Sequence, residues 1–338
     1  MEGNRLPRFR RVRRVSEIEL TERDHQILIE VHRHRFLRSS HIRDLAGGSA
    51  QQVLRRLQLL FHHGFLDRPR AQIDYYHRGG SRPIVYGLGN KGFAVLKRES
   101  SLSDHRVAWS RLNSATSRLF LEHTLLTSDF MVQMELTCRD DQWLKLVTTD
   151  EIEMPDATRK TTKPFQWKVK PESGSTLGVV PDSVFALEWI QQDDQHKNTL
   201  CFLEADRGTM PITRKGFEQS SFYRKLVAYQ QSWKQGLLSK RFGKCRFRVL
   251  TVTNTAERRD NLLNACNNLG SGKGLFLFID RKTMEATSNL LQLPWHNAPG
   301  GTESLLCPPR LSTATITADV VRLYWRCEFP CACAQTPI

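Results

Sequence analysis

TLCFLEADRGT, residues 199–209, is an apolar strand that runs into two acids one residue apart, Glu204 and Asp206. Side chains alternate faces along a strand, so these two carboxylates point the same way. Carboxylates at the end of an apolar strand need a reason: they hold a cation, or they mark a strand end that meets water. Upstream lies another apolar run, VVPDSVFALEWI at 179–190, followed by the polar turn QQDDQHKN. A hairpin of these two strands sets Asp182, at the start of the first, beside Glu204, at the end of the second. Two carboxylates so placed share one cation.

The surrounding pattern places this hairpin in a larger unit. A long helix is expected from about Asn113 to Thr137, with Leu119, Leu126, Phe130 and Met134 in its stripe. WLKLVTTDEI at 143–152 reads as a strand, and 153–178 as a loop or irregular hairpin. After the acids come a helix from about Phe217 to Gln235, the strand FRVLTVT at 247–253, a helix over 256–269 and the strand GLFLFID at 274–280. The order α-β-β-β-α-β over residues 113–298 is the core of a PD-(D/E)XK nuclease-like fold. Such a core suits phosphodiester cleavage. Mg²⁺ (or Mn²⁺) prefers oxygen ligands, keeps several waters and needs only one or two carboxylates. The ion lowers the pKa of a water and neutralises charge on the phosphorane.

The expected metal ligands are therefore Asp182 and Glu204, with Glu122 of the first helix as a third acid and Glu135 as its alternative. The expected catalytic set is Asp182, Glu204, Asp206 and Lys225. The nuclease pattern places lysine where Asp206 stands here, and Lys225 on the following helix supplies that ammonium from a displaced position or is an ordinary surface lysine. The competing reading is a capped strand end at which Arg207 pairs locally with an acid.

The first hundred residues differ in composition. They hold 20 Lys and Arg against 10 Asp and Glu, a surplus of 10 out of the chain's net charge of +15. A concentrated positive field attracts polyanions. Residues 1–17, with six arginines in the first fourteen, read as a basic disordered arm. Thr21 with Asp24 has capping spacing, and Ile27, Leu28 and Val31 follow as a helical stripe. HIRDLA, capped by Ser39 or Ser40, is a short second helix. A third carries Val53, Leu54, Leu57, Leu60 and Phe61 and ends at Gly64. FLDRPR and PIVYGLG are strands around a turn at 78–81, and NKGFAVLKR opens a fourth helix. Three helices and a β-hairpin make a winged helix-turn-helix over residues 18–100, joined by a polar linker at 101–112. The third helix is then the one that reads the major groove. Gln51, Gln52, Arg55 and Arg56 lie on its polar side, where Gln suits adenine and Arg suits guanine. Arg68, Arg70, Arg78 and Arg82 decorate the wing and suit phosphates. The fold class is thus α/β and multi-domain, with an irregular tail at 299–338.

Several features carry no chemistry. His32, His34, His62 and His63 fall in or at the ends of helices, and Tyr75-Tyr76 sits beside the wing turn. Tyr223, Tyr229 and Trp233 have helical spacing and read as packing. The eight cysteines lack zinc-ribbon spacing. No apolar run is long enough to cross a bilayer, and the basic start has no apolar stretch behind it, so a cytoplasmic protein is expected.

Taken together, LTERDHQILIEVHRHRFLRSSHIRDL, VLRRLQLLFHHGFLDR and YGLGNKGFAVL, followed by VVPDSVFAL, FLEADRGTM and YRKLVAY, resemble the plasmid replication-relaxation proteins over residues 18–295. The resemblance implies a DNA-binding protein of mobile-element replication, relaxation or transfer. Double-stranded DNA is the expected partner, with a relaxase or replication initiator and a second copy of the chain as further ones. Two functions stay open: a metal-dependent DNA endonuclease, and a non-catalytic regulator whose nuclease-like domain is a scaffold. A restriction or defence nuclease shares the first chemistry.

Overall fold

The computed structural model describes residues 7–12, 17–73, 82–99, 108–172, 174–190, 196–216, 218–243 and 246–305. Arg78, Tyr75-Tyr76, the turn at 78–81, most of the 101–112 linker and the cysteines of the tail lie outside them. The fold is mixed α/β in two compact units, Met1–Leu136 and Thr137–Ile338.

The first unit begins with α1 (Glu22–His34), which opens on the expected capping box. Thr21 N–H donates to Asp24 Oδ2 at 2.7 Å, and the Thr21 hydroxyl accepts from Asp24 N–H. β1 (Phe36–Arg38), α2 (Ser39–Ala46) and α3 (Ala50–His63) follow. Arg38, not a serine, is the residue before the first turn of α2. Gly64 ends α3 with φ of 88°, a left-handed conformation that glycine adopts without steric cost. β2 (Leu66–Asp67) and β3 (Val85–Leu88) complete an antiparallel sheet of order β1-β3-β2. Then come α4 (Asn90–Glu99), α5 (Trp109–Ser114) and α6 (Arg118–Arg139).

Ile27, Leu28, Val31, Val53, Leu57, Leu60 and Leu88 are buried in one cluster. Leu121 and Leu125 of α6 pack with Phe36 and Val85, so this part of the long helix belongs to the first unit. Its apolar face had read as part of the second domain; the sheet of the first unit supplies the surface that covers it. Arg11 is not part of a free arm, because its guanidinium donates to Phe61 O (2.8 Å), Leu66 O (3.0 Å) and the Asp67 carboxylate.

The second unit holds β4 (Leu144–Val147), α7 (Asp156–Arg159), a hairpin of β5 (Trp167–Val169) and β6 (Leu177–Val179), β7 (Ser183–Ile190), β8 (His196–Asp206), α8 (Phe222–Lys234), α9 (Leu237–Phe242), β9 (Phe247–Thr253), α10 (Ala256–Asn267), β10 (Phe276–Asp280), α11 (Arg281–Glu285), β11 (Trp295–Asn297) and β12 (Thr302–Glu303). Its main sheet has the order β12-β11-β10-β9-β8-β7-β4. β4, β7 and β8 are antiparallel neighbours, whereas β8, β9 and β10 are parallel. Parallel neighbours need crossovers, and α8 and α10 supply them. The helix after the acids starts at Phe222, because the Ser221 hydroxyl accepts from Arg224 N–H and caps it. The core clusters Phe202, Tyr229, Phe242, Phe276 and Trp167, whose indole N–H donates to the Ser232 hydroxyl at 2.8 Å.

The glycines of YGLGNKGF have a packing reason. A side chain at Gly89 would run into the carbonyl of Gly64, and one at Gly92 into the carbonyl of Phe65, both backbone atoms that cannot swing aside. Gly92→Ala is expected to cost about 1–3 kcal/mol by overpacking. Gly178→Ala, with nothing near its added methyl, should stay within about 0.5 kcal/mol of wild type. Chemical denaturation of both variants measures the contrast.

Candidate functional site

The register of β7 against β8 pairs Ser183 with Leu203, so Asp182 stands next to the last residues of β8. Asp182 N–H donates to Leu203 O at 3.0 Å, and Asp182 Oδ2 accepts from Ala205 N–H at 2.8 Å. Glu204 is 1% exposed. Both its oxygens are engaged: Oε1 accepts from the Tyr229 hydroxyl at 2.7 Å, and Oε2 takes the Lys225 ammonium. Lys225 and Tyr229 sit one turn apart on α8, the i,i+4 spacing that places both on one face. Lys225 is thus brought to the acids, as the displaced-lysine reading expects, and its side chain keeps 32% exposure. These groups border a cleft of about 320 Å³ that also involves Val179, Val180, Met210, Ser221 and Arg224.

Asp206 shares the face of Glu204 but has another partner. Arg258, in the first turn of α10, donates from Nε to Oδ2 at 2.7 Å and from Nη2 to Oδ1 at 3.1 Å. The Thr253 hydroxyl adds a third bond at 3.1 Å, and Arg258 also reaches Met210 O. A local acid–arginine pair therefore exists at this strand end, formed by Asp206 with Arg258. Nothing in the sequence marks a partner 52 residues away; the parallel crossover through α8 and β9 brings it there.

Among the described residues, Asp182, Glu204 and Asp206 do not form a group of three with ligand atoms close enough for one ion. Glu204 spends its oxygens on Lys225 and Tyr229, and Asp206 spends both of its own on Arg258. Glu122 lies in the first unit, where Arg118 donates to it at 2.9 Å on the same helix. Glu135 also lies in the first unit, bonded by Arg33 at 3.2 Å. As arranged, the two acids of β8 hold the protein's own cations, Lys225 on Glu204 and Arg258 on Asp206, where a resident Mg²⁺ would need free carboxylate oxygens.

Electrostatics follow from burial. Burial above all, with the charge of Asp182, holds the Glu204 carboxyl up at about 7 against the opposing pull of Lys225 and Tyr229. Burial pulls the Lys225 ammonium down, but Glu204 and Asp182 outweigh it and the net shift is upward. Burial and the neighbouring acid drive the Tyr229 hydroxyl well above its usual range, so it stays a donor.

The expected DNA-facing residues divide in two. Gln51, Gln52 and Arg55 are exposed on the first turns of α3, beside Leu54 at 48% exposure. Arg70 and Arg82 are also exposed. Arg56 and Arg68 point elsewhere. Arg56 closes the buried Asp24 carboxylate with contacts of 2.6–3.0 Å and reaches Glu19 O. Arg68 is buried over the Phe61 ring at 4.1 Å and donates to the Tyr86 hydroxyl at 2.9 Å and to Arg8 O. In each case a buried acid or ring offers an arginine more than the solvent does.

A pH test follows from Glu204. Its folded pKa is raised above the ordinary value of 4.5, so its contribution to stability is full below that value and is lost as pH climbs through about 7. Glu204→Gln cannot ionise. Its melting temperature is expected to gain on wild type between about pH 5 and about pH 8; a constant gap across that range would contradict the assignment.

A family model described as replication-relaxation matches residues 28–245, more than half of the chain, and spans α3, the acids of β8 and α8. No curated protein and no solved structure matches. No helix among the described residues is long and apolar enough to cross a membrane. The chain belongs to the replication-relaxation family.

Proposed function

We propose that this chain is a double-stranded-DNA-binding protein of mobile-element replication and relaxation that recognises DNA through its first unit and uses its second as a non-cutting scaffold. The first unit is read as a winged helix-turn-helix: α1, α2 and α3 precede β2 and β3, and α3 presents Gln51, Gln52 and Arg55 to solvent. Residues at the N-terminal end of such a helix contact base edges. The second unit is read as a PD-(D/E)XK-like core, from the order β4-β7-β8-α8-β9 and the placement of Asp182 just before β7 and Glu204 on the adjacent β8.

The observation that carries the scaffold reading is the saturation of the acids by Lys225, Tyr229 and Arg258. Removing one partner of a buried pair costs about 3–5 kcal/mol, so these pairs hold the end of the interior strand β8 to α8 and α10. One observation favours the cleaving reading instead: Glu204 and Lys225 line one cleft, and Asp182 is near enough to act on the Glu204 carboxyl, the residue types of a nuclease centre. On that reading Asp182 and Glu204 would hold Mg²⁺ or Mn²⁺, which would supply an activated water. A relaxase or replication initiator and a second copy of the chain are the proposed protein partners.

Two assays separate the roles. Arg55→Ala is expected to weaken binding to duplex DNA from the encoding element by about tenfold at unchanged melting temperature, as the loss of one base contact would. Arg56→Ala should instead lower the melting temperature, since it strands Asp24. Equal effects of the two on DNA affinity would contradict the interface. Supercoiled plasmid from the same element, incubated with Mg²⁺ or Mn²⁺, should be nicked no faster by wild type than by the Asp182→Ala/Glu204→Ala double variant. Nicking by wild type alone would overturn the scaffold reading.

A further inference from the structure

The first unit contains a second meeting of acids, unrelated to the DNA-facing residues. Glu30 and His34 lie one turn apart on α1, and Glu135 reaches them from α6. Among the described residues these three form a group whose ligand atoms all lie within 4.8 Å of one another. His34 Nε2 is 3.7 Å from Glu30 Oε2 and 3.8 Å from Glu135 Oε2. The imidazole is only 6% exposed, and its Nε2 has no hydrogen-bond partner in the structure. A buried ring nitrogen without a partner is costly, and here it is aimed between two carboxylate oxygens.

We propose that Glu30, His34 and Glu135 form a binding site for a first-row divalent cation of the Zn²⁺ type. One imidazole nitrogen and two carboxylate oxygens are zinc ligands, and a nitrogen ligand disfavours Mg²⁺. Metal–ligand bonds of about 2.0–2.2 Å in a tetrahedral shell set ligand atoms roughly 3.3–3.5 Å apart. The two separations from His34 Nε2 need close by only a few tenths of an ångström. The fourth position goes to water. Arg33 is the competing cation, with Nη1 at 3.3 Å from Glu30 Oε2 and 3.2 Å from Glu135 Oε2. Its side chain is 34% exposed and can withdraw to solvent. Binding would then tie the last turn of α1 to α6 through metal bonds in place of a guanidinium.

The test is calorimetric titration of chelator-stripped full-length protein with Zn²⁺, together with Co²⁺ absorption. One equivalent of Zn²⁺ is expected per chain. His34→Gln and Glu135→Gln should each weaken it by about tenfold or more at unchanged circular dichroism. Arg33→Ala removes the competitor and should tighten binding. The Co²⁺ adduct should lack a thiolate-to-metal charge-transfer band. Absence of binding by the stripped wild type, unchanged affinity in both ligand variants, or a thiolate band would overturn the site. Where a ligand variant does not fold, Arg33→Ala and the wild-type Co²⁺ spectrum decide: weaker or unchanged binding in Arg33→Ala counts against the proposal.

Discussion

The contact between the Glu204 carboxylate and the Lys225 ammonium organises the second unit's candidate site. A carboxylate carried into the interior by β8 cannot stay charged without a partner, because the desolvation penalty is several kcal/mol for each ion. The chain meets that demand by starting α8 at Ser221, which sets Lys225 and Tyr229 over the end of β8. Asp206, two residues on, meets the same demand through Arg258 at the start of α10. The two crossover helices of the parallel segment are therefore each tied to β8 by a buried acid. A strand end that looks built for a metal ion is, in this arrangement, filled by the protein's own cations.

The same economy governs the first unit. Asp24 is closed by Arg56, Asp67 by Arg11 with Asn113, and Asp129 by Arg38 and His41. Asp129 lies at about 2 despite burial, which alone would raise it, because its hydrogen bonds and charges from His41 and Arg38 prevail. Arg56, Arg11 and Arg38 are thus held by acids of the same unit. Arg55, Arg70 and Arg82 are among the exposed basic residues of the unit that can face a polyanion. This matters for recognition, since charge held in a buried pair contributes little to counterion release from DNA.

Local signals were legible in the sequence, whereas contacts across elements were not. The Thr21–Asp24 capping box, the stop at Gly64, the strand 247–253 and the pairing of the two acid-bearing strands all rest on neighbours in the chain or on alternation along a strand. Lys225 was legible as a candidate through YRKLVAY, and Tyr229 read as packing, which it is, although it also bonds Glu204. Arg258 carried no signal, because its role arises from a parallel crossover. Arg56 and Arg68 look like any exposed arginine in a pattern of polar and apolar residues; only the burial of Asp24, Phe61 and Tyr86 redirects them. The strands β11 and β12 also escaped the pattern, being three and two residues long.

The central claim is that the acid pair of the second unit is closed by Lys225. Anomalous diffraction from crystals of the full-length protein soaked in Mn²⁺ tests it most directly. The account expects the Lys225 ammonium on Glu204 and no anomalous peak between Asp182 and Glu204. A manganese ion bridging those two carboxylates, with Lys225 displaced, would contradict it.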